Sequence, residues 1–136
     1  MRIFICCSKH HYNKIPEIKR TLEMNGHMIT LPNSYDAPFK EEEMKKIGKE
    51  EHVSWKANMI KKQDEKVKAN DAVLVLNFDK NGQKNYIGGA TFLEMFKAWE
   101  TGKKIFLYND IPDGMLNDEI AAFSPIIING DLNKIN

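Results

Sequence analysis

"DAVLVLN", residues 71 to 77, decides the fold. Its continuous apolar run is the pattern of a strand covered on both faces, because a strand with one face in water alternates apolar and polar residues. "KKIFLYN", residues 103 to 109, repeats the pattern just after Gly102, and a helix-like stretch, 87 to 101, lies between the two. Toward the N-terminus, "RIFICC" (2 to 7) is a short β-rich run broken by the polar "SKHHYN". Ile15, Ile18 and Leu22 then recur at helical spacing, with Pro16 suited to a first turn and Gly26 to a C-terminal cap. "HMITLP" (27 to 32) reads as a strand closed by Pro32, and "NSYDAPF" as a loop rich in turn formers. Near the C-terminus, "MLNDEIAAF" forms a helix and "PIIIN" (125 to 129) a last short strand.

Strands alternating with helices predict a parallel sheet with right-handed crossovers. The expected architecture is α/β: a single flavodoxin-like or Rossmann-like domain over residues 1 to 136, with a five-stranded parallel sheet flanked by helices. The charged segment from Lys40 to Lys68 carries Met44, Ile47, Val53, Trp55, Met59, Ile60 and Val67 at loose helical spacing, as one or two amphipathic helices. No repeat, low-complexity tract or linker divides the chain. Ligands in such sheets bind beyond the carboxyl ends of the strands, near the reversal of strand order. That rule singles out Ser8 to His11, Asn77 to Gly89 and Asn109 to Asp113.

The totals narrow the function. A length of 136 residues with 42% hydrophobic content supports one core without disulfide or metal. Twenty basic against nineteen acidic residues leave a formal charge of +1, so no nucleic acid polymer is expected as a partner. Cys6 and Cys7 are adjacent and cannot staple distant segments, so they read as reduced thiols. No signal peptide or membrane-spanning run is legible, and a soluble, cytoplasmic protein without membrane contact is expected. No His/Cys spacing suggests a metal site, and no Ser/His/Asp order suggests an acyl-transfer triad.

In "NYIGGATFLEMFKAWETGKKI", residues 85 to 105, one acid, Glu94, stands among glycines and large hydrophobes. Gly88 and Gly89 precede the helix, where missing side chains let a ligand approach backbone N–H groups and the positive end of the helix dipole, or simply permit a tight turn. On a helical wheel Ile87, Thr91, Met95, Ala98, Trp99, Phe92 and Phe96 span an arc of roughly 200°, with Glu94 at its edge. That arc exceeds one packing face, so a second subunit is expected against this helix, giving a homodimer or higher homo-oligomer. At the rim, Glu94 is expected to stay ionised and half enclosed, as a nucleophile requires. A salt bridge or cap is the commoner fate of a single helical glutamate.

The combination "DAVLVLN…NYIGGATFLEM…GKKIFLYNDIP…DEIAAFSPIIINGDL" resembles the nucleoside 2-deoxyribosyltransferase superfamily, including its branch of 2'-deoxynucleoside 5'-phosphate N-hydrolases. The likeness is weak over residues 2 to 32 and strong over 67 to 135. It implies cleavage of the N-glycosidic bond of a nucleoside or nucleoside 5'-monophosphate without a cofactor. The glutamate matching Glu94 attacks the anomeric carbon, and water or an incoming base completes hydrolysis or transfer. Ser8 stands where the superfamily places a serine that holds the sugar or 5'-phosphate, and Lys9 and His10 add charge beside it; both His10 and His11 are otherwise ordinary loop residues. That charged loop favours hydrolysis of a phosphorylated substrate over transfer.

Two positions depart from the pattern. The aspartate that assists base departure is matched by Gln63, with Asp64 next to it, so either the helix presents Asp64 as the acid or the acid is lost. A second aspartate, six residues before the nucleophile, is matched by Gly88. Asn77, Asp79 and Asn85 lie on the strand exit, where Asp79 and Asn85 could hydrogen-bond the sugar, although turn formation also accounts for Asp79. Tyr86 either stacks on a base or packs under the loop. The alternative to an enzyme is a nucleotide-binding or sensor domain of the same fold, which Gln63 motivates. A flavin-binding use of the fold has no distinctive phosphate loop to support it.

Overall fold

The computed structural model describes all 136 residues. The five strands are β1 (Arg2–Cys6), β2 (Met28–Thr30), β3 (Ala72–Val75), β4 (Lys104–Leu107) and β5 (Ile126–Ile127). Between them run α1 (Ile15–Met24), α2 (Lys40–Ile47), α3 (Lys49–Ala69), α4 (Gly89–Glu100) and α5 (Asn117–Ala122), with 3₁₀ turns at Lys9–Lys14 and Leu132–Lys134. All pairings are parallel and the order is β2-β1-β3-β4-β5. This is the flavodoxin-like order, whose reversal falls between β1 and β3. The α/β architecture read from the sequence is therefore present, including its five strands.

Both faces of the sheet are covered, which accounts for the unbroken apolar run in β3. Ile3, Ile5, Leu74, Leu76 and Phe106 point to one side and pack with Ile15, Ile18 and Leu22 of α1 and with Ile128 and Ile135. Phe4, Cys6, Val73, Val75, Ile105 and Leu107 point to the other and meet Val67 of α3, Met95 and Ala98 of α4 and Ile120 of α5. Successive residues alternate between the two cores because the strand period is two. Each fully buried large side chain contributes about 1.5–3 kcal/mol.

The charged segment forms two helices, separated at Gly48. Helix α2 buries no residue and packs on α3, while α3 buries only Gln63 and Val67. The pair stands like a flap over the ends of β1 and β2. Two hydrogen bonds tie α3 to the exit of β2: Asn33 Nδ2 donates to the Met59 carbonyl at 3.1 Å, and Lys66 Nζ to the Leu31 carbonyl at 2.7 Å. No helix is long and apolar enough to cross a membrane.

Candidate active site

A cavity of about 260 Å³ opens where the strand order reverses. Its walls are the exit of β1, the exit of β2, the flap and the first turns of α4. Glu94 lies in this wall. It belongs to the buried stripe Thr91, Glu94, Met95 and Ala98, whose spacing is that of one helix face turned to the sheet. The aromatics that widen the apolar arc, Phe96 and Trp99, are instead 38% and 52% exposed.

Glu94 is only 7% exposed, and no Lys, Arg or His forms an ion pair with it. Burial pushes its carboxyl up to about 8, a rise that the Cys6 thiol and Lys66 oppose and Asp64 reinforces. The expectation of an ionised rim carboxylate is thus corrected. Glu94 lies inside the sheet-facing stripe, and the energetic cost of a buried charge keeps it protonated at neutral pH. The two thiols beside it are weak acids: burial and then Glu94 raise Cys6 well above the ordinary thiol and take Cys7 to about 12. The Cys6 S–H is placed to donate to the Glu94 carboxyl or to the Phe4 carbonyl 3.8 Å away. Burial raises the Tyr12 phenol as well and pulls the Lys66 ammonium down.

Ser8, Lys9, His10, Tyr86, Gly88 and Gly89 all line the same cavity as Glu94. Ser8 Oγ accepts from the His10 N–H at 3.4 Å and so caps the 3₁₀ turn. Gly88 is the N-cap of α4 with no side-chain cap, and Phe92 is the first residue to donate back, to the Gly88 carbonyl at 2.9 Å. The N–H groups of the first turn are therefore free of intrahelical partners and available to an anion. A Cβ at Gly88 would stand 3.0 Å from the Tyr86 hydroxyl oxygen, so the glycine lets Tyr86 lie across the helix start.

Lys80 joins this group from a hairpin. The Lys80 and Gln83 backbones exchange hydrogen bonds of 3.0 and 2.9 Å, and Asn81 and Gly82 between them have φ of 50° and 78°, the signature of a tight turn of the Asn-Gly type. Lys80 Nζ sits 4.5 Å from the centre of the Tyr86 ring and has no carboxylate partner, whereas Lys9 pairs with Glu42. Slight desolvation and then the positive charges of Lys80 and Lys9 lower the exposed His10 below its ordinary value. On the flap, Glu41 accepts from His52 at 2.9 Å and lies 3.3 Å from Lys56, contacts that outweigh partial burial and hold its carboxyl low.

Four residues singled out from the sequence fall outside the cavity. Asp64 faces α4, where its carboxylate is 3.8 Å from Lys97 Nζ, while buried Gln63 takes the cavity position and donates from Nε2 to the Ala90 carbonyl at 3.3 Å. The helical repeat explains the choice: Trp55, Met59 and Gln63, four apart, form one stripe along α3, and Asp64 is a step off it. Asn77 is fully buried and stitches the ends of β3 and β4, donating to the Asn109 and Asp110 carbonyls at 3.0 and 2.9 Å and accepting from the Asn109 N–H at 2.8 Å. Asp79 organises its own loop: its carboxylate accepts from the Asn85 N–H at 2.9 Å, and its carbonyl lies 3.1 Å from His11 Nε2. Asn85 opens into a different groove.

Several wall residues were not singled out for the site from the sequence, among them Cys7, Tyr12, Trp55, Lys56, Met59 and Thr91. The spacing of Trp55, Met59 and Gln63 marks them as neighbours on one face, but nothing local says what that face meets. No three His, Cys, Asp or Glu side chains are gathered so as to hold a metal ion. Comparisons of the chain with protein-family models, with curated proteins and with solved structures find no match.

Proposed function

We propose that this chain cleaves the N-glycosidic bond of a nucleoside or nucleoside 5'-monophosphate, with Glu94 as nucleophile and water as the usual acceptor. One observation carries the reading: a nearly buried carboxyl with no ion-pair partner lines an open cavity at the point where the strand order reverses. Once deprotonated, a Glu94 oxygen attacks the anomeric carbon as the carbon–nitrogen bond breaks. The bonding pair leaves with the base, which takes up a proton. The low-polarity surroundings that raise the carboxyl also strengthen its attraction to an oxocarbenium-like transition state. Water then hydrolyses the glycosyl ester and restores the acid. Lys80, His10 and the first turn of α4 suit a 5'-phosphate, which favours a phosphorylated substrate.

Leu93, Phe96 and Trp99 leave α4 with a partly exposed apolar face, continued by Phe123, whose ring centre is 5.8 Å from that of Trp99. A second copy of the chain is the proposed cover, making the protein a homo-oligomer. Two free thiols suit a reducing compartment such as the cytoplasm. The test of the activity is incubation with a panel of deoxynucleosides and their 5'-monophosphates. Free base is expected to appear, and Glu94→Ala to abolish it; full activity in that variant ends the proposal.

A second reading rests on Gln63, an amide that cannot give up a proton as an acid does at the place of the expected acid. In that reading the cavity binds a nucleotide without cleaving it. Calorimetric binding with the ligand intact after long incubation favours it. Loss of one general acid costs about 10²–10⁴ in rate, so slow turnover still belongs to the first reading.

A further inference from the structure

Asn85 belongs to the most recognisable block of the sequence, yet it faces away from Glu94. It lines a second groove, of about 740 Å³, between the exit of β3 and the segment Asn109 to Asn117 after β4. Tyr86 is the shared wall of the two spaces. Three observations mark Asn85 as more than a turn residue. Its backbone holds a φ of 55°, a left-handed conformation maintained by the hydrogen bond from its N–H to Asp79. The residue is only 9% exposed. Its carboxamide has no hydrogen-bond partner in the protein, but is not sealed off: the only side-chain polar atom both sealed and unpartnered is His11 Nδ1. A nearly buried amide that opens into a groove with its donor and acceptor both free is a recognition group awaiting a ligand.

The rest of the groove says which ligand. Tyr86, Ile111, Met115 and Leu116 supply apolar surface, and Lys84 is outnumbered by Asp110 and Asp113, so the groove lacks the excess of lysines that lines the first cavity. An apolar wall with one carboxamide edge matches a planar nitrogen heterocycle bearing adjacent donor and acceptor, since asparagine pairs with such an edge through two hydrogen bonds. We infer that this groove is a second binding site, for the hydrogen-bonding edge of a nucleobase-like heterocycle, read by Asn85. The occupant is either the free base or the base of a nucleotide. The groove lies apart from the cavity that Glu94 lines, so Glu94→Gln should bind the free base equally well.

Methyl-labelled methionine resonances separate the two spaces, because Met115 lines the groove and Met59 the first cavity. Titration with adenine or cytosine is expected to shift Met115 and the Asn85 side-chain amide while leaving Met59 in place. Adenosine 5'-monophosphate that moves Met115 and Met59 together identifies a nucleotide as the source, and a response of Met115 to free base alone identifies the base. Asn85→Asp keeps the size and tolerates the positive φ but removes the donor, and Asn85→Gly keeps the backbone and removes the amide; each should weaken binding about tenfold or more. Shifts confined to Met59, no shift at millimolar base, or wild-type affinity in whichever of the two variants keeps the wild-type fold would overturn the inference.

Discussion

Burial raises the Glu94 carboxyl to about 8, and the Cys6 thiol, Lys66 and Lys56 oppose that rise without cancelling it. Two consequences follow from its value of about 8. If ionised Glu94 is the nucleophile, kcat/KM for base release should climb as pH rises through about 8, and a flat profile between pH 6 and 9 would remove it from that role. Stability should run the other way. Between the ordinary 4.5 and about 8 the folded chain retains a proton that the unfolded chain releases, so this group's contribution falls as pH rises across that window. Glu94→Gln lacks the slope and should gain stability over the parent at pH 9 compared with pH 5, read from urea midpoints; parallel pH dependences in the two proteins would contradict this. Asn77 makes a different prediction. Its truncation to alanine leaves the part-buried Asn109 N–H and the Asn109 and Asp110 carbonyls without their partner and should cost about 1–3 kcal/mol in urea unfolding, without the pH signature of Glu94.

Helices α2 and α4 occupy opposite ends of the stability range. With no buried residue, α2 depends on its contact with α3 and on surface ion pairs such as Lys9 with Glu42 and Lys56 with Glu41. Surface pairs contribute little, so α2 should open locally long before the sheet unfolds. Hydrogen exchange is expected to be fast over Lys40–Ile47 and slow over Ala72–Val75 and the buried stripe of α4, and a bound nucleoside monophosphate should slow α2, since Glu41 and Trp55 border the cavity. Equal protection of α2 and β3 in the free protein would refute a mobile flap. Helix α4 serves two masters: its Thr91–Ala98 stripe meets the sheet and carries Glu94, while Phe96 and Trp99 turn outward beside Phe123.

At the scale of the whole molecule, the outward face of α4 predicts self-association. Sedimentation should show a dimer or larger species that Trp99→Glu converts to monomer, and a monomeric parent at tens of micromolar would dismiss the idea. The element order was legible along the chain because hydrophobic period is a local property: β3 and β4 are continuous apolar runs and α1 repeats at Ile15, Ile18 and Leu22, whereas the division of the charged segment at Gly48 came with the structure. Residue placement was not legible. Packing of α4 against β3 and β4 determines which half of its arc is buried, and so turns Glu94 from a rim carboxylate into an interior acid. The packing of α3 on α4 selects Gln63 over its neighbour Asp64 for the cavity, and the left-handed backbone at Asn85 sends that side chain to the far side of Tyr86. Sequence alone thus determined which segments are strands and helices and in what order, since each choice rests on a few neighbouring residues. Only the tertiary structure decided which side chains share a cavity, because that depends on contacts between segments 27 or more residues apart, such as Gln63 with Ala90 and Cys6 with Glu94.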